Sequence, residues 1–233
     1  QTHQNNMGAF GGPDIITDEL VFAIDAGSER SYPGSGTAVT DLAGSSTVAL
    51  QNGVGFNSDN TGFWEFDGVD QYISKTQRQY TNESWSVDII FKPTDDSDIS
   101  WNGLFGGDLN QGGYWFFHSA GNLAFYSAAG YITYRAWTKA NTFTAGTFHQ
   151  LTITFVSTGS LTGDFNLYYN GGEKTDSFSF TFNNSYTLDS EFIGMGGGNR
   201  FGTNDVAVYR EYEKVLTAAE VLQNYNAQKN RFI

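Results

Sequence analysis

Residues 85–93 read WSVDIIFKP, and no other run in the chain constrains the fold as much. Trp85, Val87, Ile89 and Phe91 alternate along it, which places all four on one face of a β-strand. Ser86 and Asp88 take the opposite face, which starts polar and is then interrupted by Ile90. A strand that is apolar on both faces midway lies beneath a second layer. Pro93 closes the run, because it has no N–H to give to a ladder.

The rest of the chain reads as further strands around this one. Leu20–Ile24 is apolar throughout. Residues 63–66 and 71–74 flank the turn Asp67-Gly68-Val69-Asp70, and 25–62 between them and the first strand is a turn-rich excursion with two brief strands. After the organising strand, 103–106, 114–118, 122–127 and 131–137 follow as a meander. Residues 148–156 come next, then 165–169 and 173–182 around Asn170-Gly171, a strong hairpin signal because both residues tolerate positive φ. The last strands are 191–195 and 205–212. With 20 Phe, 13 Tyr and 28 Gly, composition favours strands and tight turns, hence an all-β fold. One helix is expected at the end: Thr217 and Glu220 fit a capping box, with Leu216 and Val221 placed as a staple. Its apolar stripe is Val221, Leu222 and Tyr225, its basic end is Lys229 and Arg231, and it is expected to cover an open end or edge. The reading is one domain over 20–233 preceded by an arm, 1–19, too poor in apolar residues to fold alone. Met7, Phe10, Ile15 and Ile16 are spaced along that arm as isolated anchors, either for assembly with another subunit or a neighbouring protein or for packing along the chain's own sandwich.

The formal net charge is −13, which disfavours nucleic acid and anionic lipid as partners. There is no Cys, so thiol chemistry and disulfides are excluded. No apolar run approaches the ~20 residues that span a bilayer, so membrane insertion by a helix is not expected. His3, His118 and His149 lack metal-ligand spacing. Trp101, Tyr114, Trp115, Tyr131, Tyr134 and Trp137 cluster in one third of the chain. Alternation splits Tyr114 and Phe116 from Trp115 and Phe117. Either two layers bury both sets, or one set leaves the core and forms a contact surface.

The order WSVDIIFKP, FHQLTITFV, FNLYYNGGEKT, DVAVYREYEKVLTAAEVLQNY resembles the laminin-G-like or pentraxin-like branch of the concanavalin A-like lectin/glucanase superfamily, over about residues 63–228. The resemblance implies a two-sheet antiparallel β-sandwich, a jelly roll, with a short C-terminal helix. The earlier stretch, GGPDIITDELVFAIDAGSERSYPGSG and FNSDNTGFWEFDGVDQYI, is similar to the start of laminin-G-like structural proteins of tailed phages. It departs from them at VTDLAGS (39–45), where an aromatic usually precedes the DLSGN-like segment.

The resemblance brings specific chemistry with it. Pentraxin-like calcium sites would fall on GDLNQGG (107–113) and MGGGNRFG (195–202), making Asp108, Asn110 and Asn199 candidate ligand-binding residues beside Trp101, Tyr114, Trp115, Tyr131 and Trp137. Three glycines stand where the second loop's acids would lie. Asp67, Asp70 and Asp205 form a second, weaker metal candidate. No cofactor is required, and calcium is the one ion brought into question. Glycosidases of this fold use paired carboxylates on a strand. Here Asp88 has no Glu at that spacing, and Glu83 lies five residues away, so Asp88 is expected to face solvent and no catalytic residue is expected. The functional reading is a non-enzymatic phage virion surface protein, a tail fibre or adhesin head or a capsid decoration. It would mediate assembly with other virion proteins or itself, or contact with host-surface glycan. The alternatives are a free carbohydrate-binding module and, from another class, a glycoside hydrolase.

Overall fold

In the computed structural model the described residues are 13–80, 83–94, 102–107, 114–119, 122–127, 133–137, 143–159, 162–172, 174–181, 188–196 and 199–232. The strands begin with β1 (Leu20–Asp25), β2 (Ala38–Thr40), β3 (Thr47–Gln51), β4 (Gly55–Asn57), β5 (Phe63–Glu65), β6 (Tyr72–Tyr80) and β7 (Trp85–Pro93). The meander follows as β8 (Asn102–Gly106), β9 (Tyr114–Ser119), β10 (Asn122–Ser127) and β11 (Thr133–Trp137). Then come β12 (His149–Gly159), β13 (Thr162–Tyr169), β14 (Lys174–Thr181), β15 (Leu188–Ile193), β16 (Met195–Gly196), β17 (Arg200–Phe201) and β18 (Asn204–Tyr212), and α1 spans Ala218–Phe232. The excursion 25–62 thus holds three brief strands rather than two.

The strands make an antiparallel two-sheet sandwich. The first sheet runs β14-β13-β12-β7-β18-β5-β4 with β1 also on β18, and the second runs β11-β10-β9-β8-β15-β6-β3-β2. Strand β7 is central to the first sheet, between β12 and β18. Its Trp85, Val87, Ile89 and Phe91 are fully buried in the core between the sheets. Trp85 stacks on Phe155 at 5.8 Å and meets Phe165 edge-on. Among the described residues an ion pair crosses this core: Lys75 of β6 reaches Glu211 of β18 at 3.1 Å, with both side chains shut off from solvent. The Tyr209 hydroxyl donates to the same carboxylate at 2.9 Å, and Lys75 lies 4.9 Å from the Phe22 ring.

The outer face of β7 is also closed, as Ile90 foretold, and α1 closes it. The capping box forms as expected: the Thr217 N–H donates to Glu220 at 2.8 Å and the Glu220 N–H to the Thr217 hydroxyl at 3.3 Å. Such a cap is worth about 1 kcal/mol. Leu216 and Val221 pack together with Tyr212 in one buried cluster. The helix does not lie at an edge of the sandwich. It crosses the outer face of the first sheet, and the side it buries is Val221, Asn224 and Gln228. Leu222, placed in the stripe on hydrophobicity, is 45% exposed. At the far end Phe232 packs on Phe148, beside Ile90 and Val208, and Arg231 clamps Asp25 of β1 through two bonds of 2.7 and 2.8 Å. The Asn170-Gly171 hairpin sits under Tyr225. Gly171 has φ 66°, and a Cβ there would lie 2.5 Å from the tyrosine.

Asp88 is therefore not solvent-facing; it is wholly buried beneath the helix. Sequence reading expected exposure because its neighbours on β7 alternate, but the partners that close over it come from far along the chain. Its Oδ1 accepts from Gln150 Nε2 and Thr152 Oγ1, both at 2.8 Å. Its Oδ2 accepts from Arg210 Nη1 at 3.0 Å and, more weakly, from Asn224 Nδ2 at 3.4 Å. Asn224 also donates to the Tyr212 hydroxyl at 3.0 Å and accepts from the Ile16 N–H at 2.8 Å. Ile16 packs against the Tyr212–Leu216–Val221 cluster, its carbonyl accepts from Tyr212, and the Asp14 carbonyl accepts from Gln223. The segment from Asp14 thus belongs to the sandwich, and Ile16 anchors on its own chain. Of the two dockings open to the arm, Ile16 takes the one along its own sandwich, and residues 13–19 are not separate from it. Ile15 is half-buried beside it, and Met7 and Phe10 lie outside the described residues.

His149 at the start of β12 is buried and hydrogen-bonded. The Thr144 N–H donates to Nε2 at 3.0 Å and the Tyr169 hydroxyl meets Nδ1. Burial pushes the imidazole below its ordinary range, with the Thr144 backbone bond opposing.

Two measurements check this packing. Asp88→Ala leaves the buried Arg210 guanidinium without its counter-charge, and chemical denaturation should show a loss of about 3–5 kcal/mol; a loss below about 1 kcal/mol would contradict the burial. His149 has its folded pKa below its unfolded one. Its contribution is therefore present above about pH 6.5 and lost as pH falls below that value. Unfolding midpoints should drop from pH 7.5 to pH 5 and drop less in His149→Gln; equal drops would refute the assignment.

Candidate functional site

With α1 over one sheet, the outer face of the other is the place to look for contact chemistry. A single row of opposed residues runs across it. Tyr134 pairs with Tyr126, Tyr126 with Trp115, Trp115 with Gly106 and Gly106 with Phe192. The row continues from Phe192 to Ser74, then Ala49, then Ala38. Opposed residues of an antiparallel pair share a face. The adjacent row contains Phe125, Phe105, Ile193, Ile73 and Leu50, all in the buried core. The first row therefore belongs to the outer face. Strands lie ~4.8 Å apart, so Tyr134, Tyr126 and Trp115 stand on three adjacent strands within ~10 Å. Register adds Phe117, opposite Ala124, to the same face.

The described side chains on this face continue the pattern. The Tyr72 ring meets Phe192 edge-on at 5.5 Å and Phe201 at 6.1 Å, all three half-buried. Gln51 Nε2 donates to the Ser74 hydroxyl at 2.8 Å. The β16–β17 hairpin lies over Gly103: a Cβ there would be 2.2 Å from the Arg200 carbonyl and 2.3 Å from the Gly196 nitrogen, so no other residue fits.

The sequence candidates divide as follows. Trp115 falls on the outer face. Tyr114, two residues from Phe116, and Trp137, opposite the buried Leu123, fall by register on the core-side face. Trp101, Asp108, Asn110 and Tyr131 lie outside the described residues. Asn199 is exposed at the turn of the β16–β17 hairpin with φ 58°, a conformation that accounts for an asparagine without any ligand. Tyr126, Tyr72, Phe192 and Phe201 were missed. The alternation around Ile73 and Phe125 marked Tyr72 and Tyr126 as opposite the core, but joining them into one surface needed the strand order.

The metal candidate Asp67, Asp70 and Asp205 does not assemble, which corrects that expectation. Among the described residues no three His, Cys, Asp or Glu lie where they could hold an ion. Asp67 Oδ1 accepts from the Val69 N–H in an Asx turn, and Asp70 is exposed. Asp205 is buried against Lys92 at 2.7 Å, and desolvation raises its pKa while Lys92 opposes. The motif segment VTDLAGS has a structural use: Asp41 Oδ1 accepts the N–H groups of Ala23 and Ala43 at 3.0 Å, and Oδ2 that of Ser46 at 3.2 Å. Glu83 is exposed at the start of β7 while Asp88 is sealed on its outer side, so the two carboxylates do not flank a common space.

Among solved structures the chain is similar to the botulinum neurotoxin serotype D binding domain, with a TM-score of 0.67 and 16% identity over 91% of this chain and 53% of that one. The binding domain of Paraclostridial Mosquitocidal Protein 1 gives a TM-score of 0.64 and 19% identity over 91% and 52%. The botulinum serotype D ligand binding domain in complex with N-acetylneuraminic acid gives 0.67 and 17% over 91% and 52%. The chain thus spans about half the length of each of these structures, and at such identities the likeness is one of fold. No curated protein matches the sequence. The strand order and the buried alternation of β7 agree with a laminin-G-type family model, described as Concanavalin A-like lectin/glucanases superfamily, which matches residues 67–222, well over half of the chain; the chain belongs to that superfamily.

Proposed function

We propose that this chain is a non-catalytic recognition module that contacts glycan through the outer face of its second sheet, and that it is carried on the surface of a tailed-phage particle. The observation that carries the reading is the aromatic row Tyr134–Tyr126–Trp115 on three adjacent strands, on the face away from the core. Aromatic residues at successive register positions supply the apolar surface on which the C–H faces of sugar rings stack. The complex of a structural neighbour with N-acetylneuraminic acid supports a saccharide ligand for this fold. The virion setting rests on the similarity of residues 11–73 to structural proteins of tailed phages. The absence of catalysis is favoured by Asp88, the carboxylate on the organising strand, which is buried and saturated by donors.

The test is retention of the protein on a glycan array and on host cells. Trp115→Ala and Tyr126→Ala should each weaken binding by about 1–2 kcal/mol, roughly five- to thirtyfold. Leu222→Ala, on the exposed side of α1, should leave it unchanged. Binding unaffected by the first two variants would sink the proposal.

A further inference from the structure

We infer that Asn52 is a modification site: its side-chain amide converts spontaneously to a carboxylate by reaction with the neighbouring backbone, and the conversion loosens the turn after β3 from the loop at 67–71. The inference is independent of the glycan reading.

The chain contains the pairs Asn52-Gly53, Asn102-Gly103 and Asn170-Gly171. The same chemistry is open to each of them by sequence. The backbone nitrogen of the glycine attacks Asn Cγ, a new C–N bond closes a five-membered imide ring, and the Cγ–Nδ2 bond breaks to release ammonia. Water then opens the ring at one carbonyl or the other and leaves an aspartyl residue or its β-linked isomer. Water is the one reactant consumed. Glycine favours the step because it puts no Cβ beside the attacking nitrogen and lets the backbone reach the ring-closing conformation. What decides between equal motifs is whether Cγ and the next nitrogen are free to approach each other.

The fold holds two of the pairs shut. Asn102 is 2% exposed, and its Oδ1 accepts from the Thr203 N–H at 3.0 Å and the Thr203 hydroxyl at 3.1 Å. Its neighbour Gly103 is walled in by the Arg200 carbonyl and the Gly196 nitrogen. Asn170 Oδ1 accepts the Gln150 N–H at 2.8 Å, its own N–H donates to the Gln150 carbonyl at 2.9 Å, and Gly171 is buried beneath Tyr225. Asn52 differs on each count. It and Gly53 are exposed in a turn with φ 58° and 81°, and a Cβ at Gly53 would meet nothing within 4 Å beyond its chain neighbours. Asn52 Nδ2 donates to the Asp70 carbonyl at 2.7 Å, but at an exposed site such a bond is worth little against water.

That bond is also what the conversion removes. The turn is tied to the loop by Asn52 Nδ2 on the Asp70 carbonyl and by Gln71 Nε2 on the Gly53 carbonyl at 3.0 Å. A carboxylate at position 52 has no hydrogen to donate, so two acceptors then face each other. The β-linked isomer also lengthens the backbone of the turn by one atom and shifts the Gly53 carbonyl from Gln71.

The three pairs fall in separate tryptic peptides, 31–75, 79–135 and 140–174, so mass spectrometry of the digest reads each one. The full chain is kept folded at mildly alkaline pH, which favours loss of the proton from the attacking nitrogen, and in parallel unfolded in urea. In the folded protein Asn52 should convert at least about tenfold faster than Asn102 and Asn170, a barrier difference of ~1.4 kcal/mol. In urea all three should convert at comparable rates. Folded-state conversion at Asn102 or Asn170 as fast as at Asn52 would overturn the inference, as would an Asn52 that stays intact while the unfolded chain converts. Amide hydrogen exchange tests the loosening: Asn52→Asp should exchange faster than the fresh protein at residues 67–71, and unchanged exchange there would refute it.

Discussion

The arrangement depends on where one carboxylate finds its partners. Asp88 sits in the middle of the central strand of the first sheet, on the side away from the core, and is wholly buried. An ionised carboxylate in that position is tolerable only if it is paired and hydrogen-bonded. Arg210 on the neighbouring strand supplies the charge, Gln150 and Thr152 on the other neighbour supply two donors, and Asn224 brings the helix. Asn224 then passes the constraint outward to Tyr212 and Ile16, so helix, last strand and incoming segment are fixed by one connected set of bonds. Such a network contributes little net stability compared with an apolar substitute, but removing one member is costly. What it supplies is position: it decides that α1 covers the first sheet. The second sheet carries no helix among the described residues, and the β16–β17 hairpin lies over its strand β8.

A second buried pair acts between the layers. Lys75 and Glu211 join β6 to β18 across the core, and the Tyr209 hydroxyl completes the carboxylate. Glu211 and Arg210 are consecutive, so β18 sends one charge into the sandwich and the next one out under the helix. The strand that looks simplest in sequence, DVAVYREY, carries the polar bonds that hold both interfaces. The Arg231 clamp on Asp25 and the Asp41 carboxylate on three backbone N–H groups serve the periphery in the same manner. The buried acids among the described residues, Asp41, Asp88, Asp205 and Glu211, are thus each held by partners of the fold.

Features with local causes were legible in the sequence. The alternation of β7, the Asn170-Gly171 hairpin and the Thr217–Glu220 cap each depend on residues within a few positions of one another, and each is found where the sequence placed it. Features decided by distant partners were not. Asp88 read as exposed because Gln150, Arg210 and Asn224 lie 62, 122 and 136 residues away. The docking side of α1 was misread for the same reason: Asn224 is polar, yet it is buried because its partners are polar, while the apolar Leu222 faces out. The grouping of Asp67 and Asp70 with Asp205 failed because Lys92 already holds Asp205. Of the aromatic cluster, Trp115 could be picked out as a candidate, but separating it from Tyr114 and joining it to Tyr126 and Tyr134 required the order and register of four strands.

The central claim is that the helix-covered sheet is sealed and the opposite sheet makes contact. The chain has no cysteine, which permits a direct measurement. A single bulky maleimide adduct is placed either at Ala124→Cys, on the outer face between Phe117 and Ala136 by register, or at Leu222→Cys, on the exposed side of α1. Retention of each labelled protein on host cells is then compared with that of its unlabelled form. The account predicts that the adduct at position 124 abolishes retention and the one at 222 does not; retention lost at 222 and kept at 124 would contradict it.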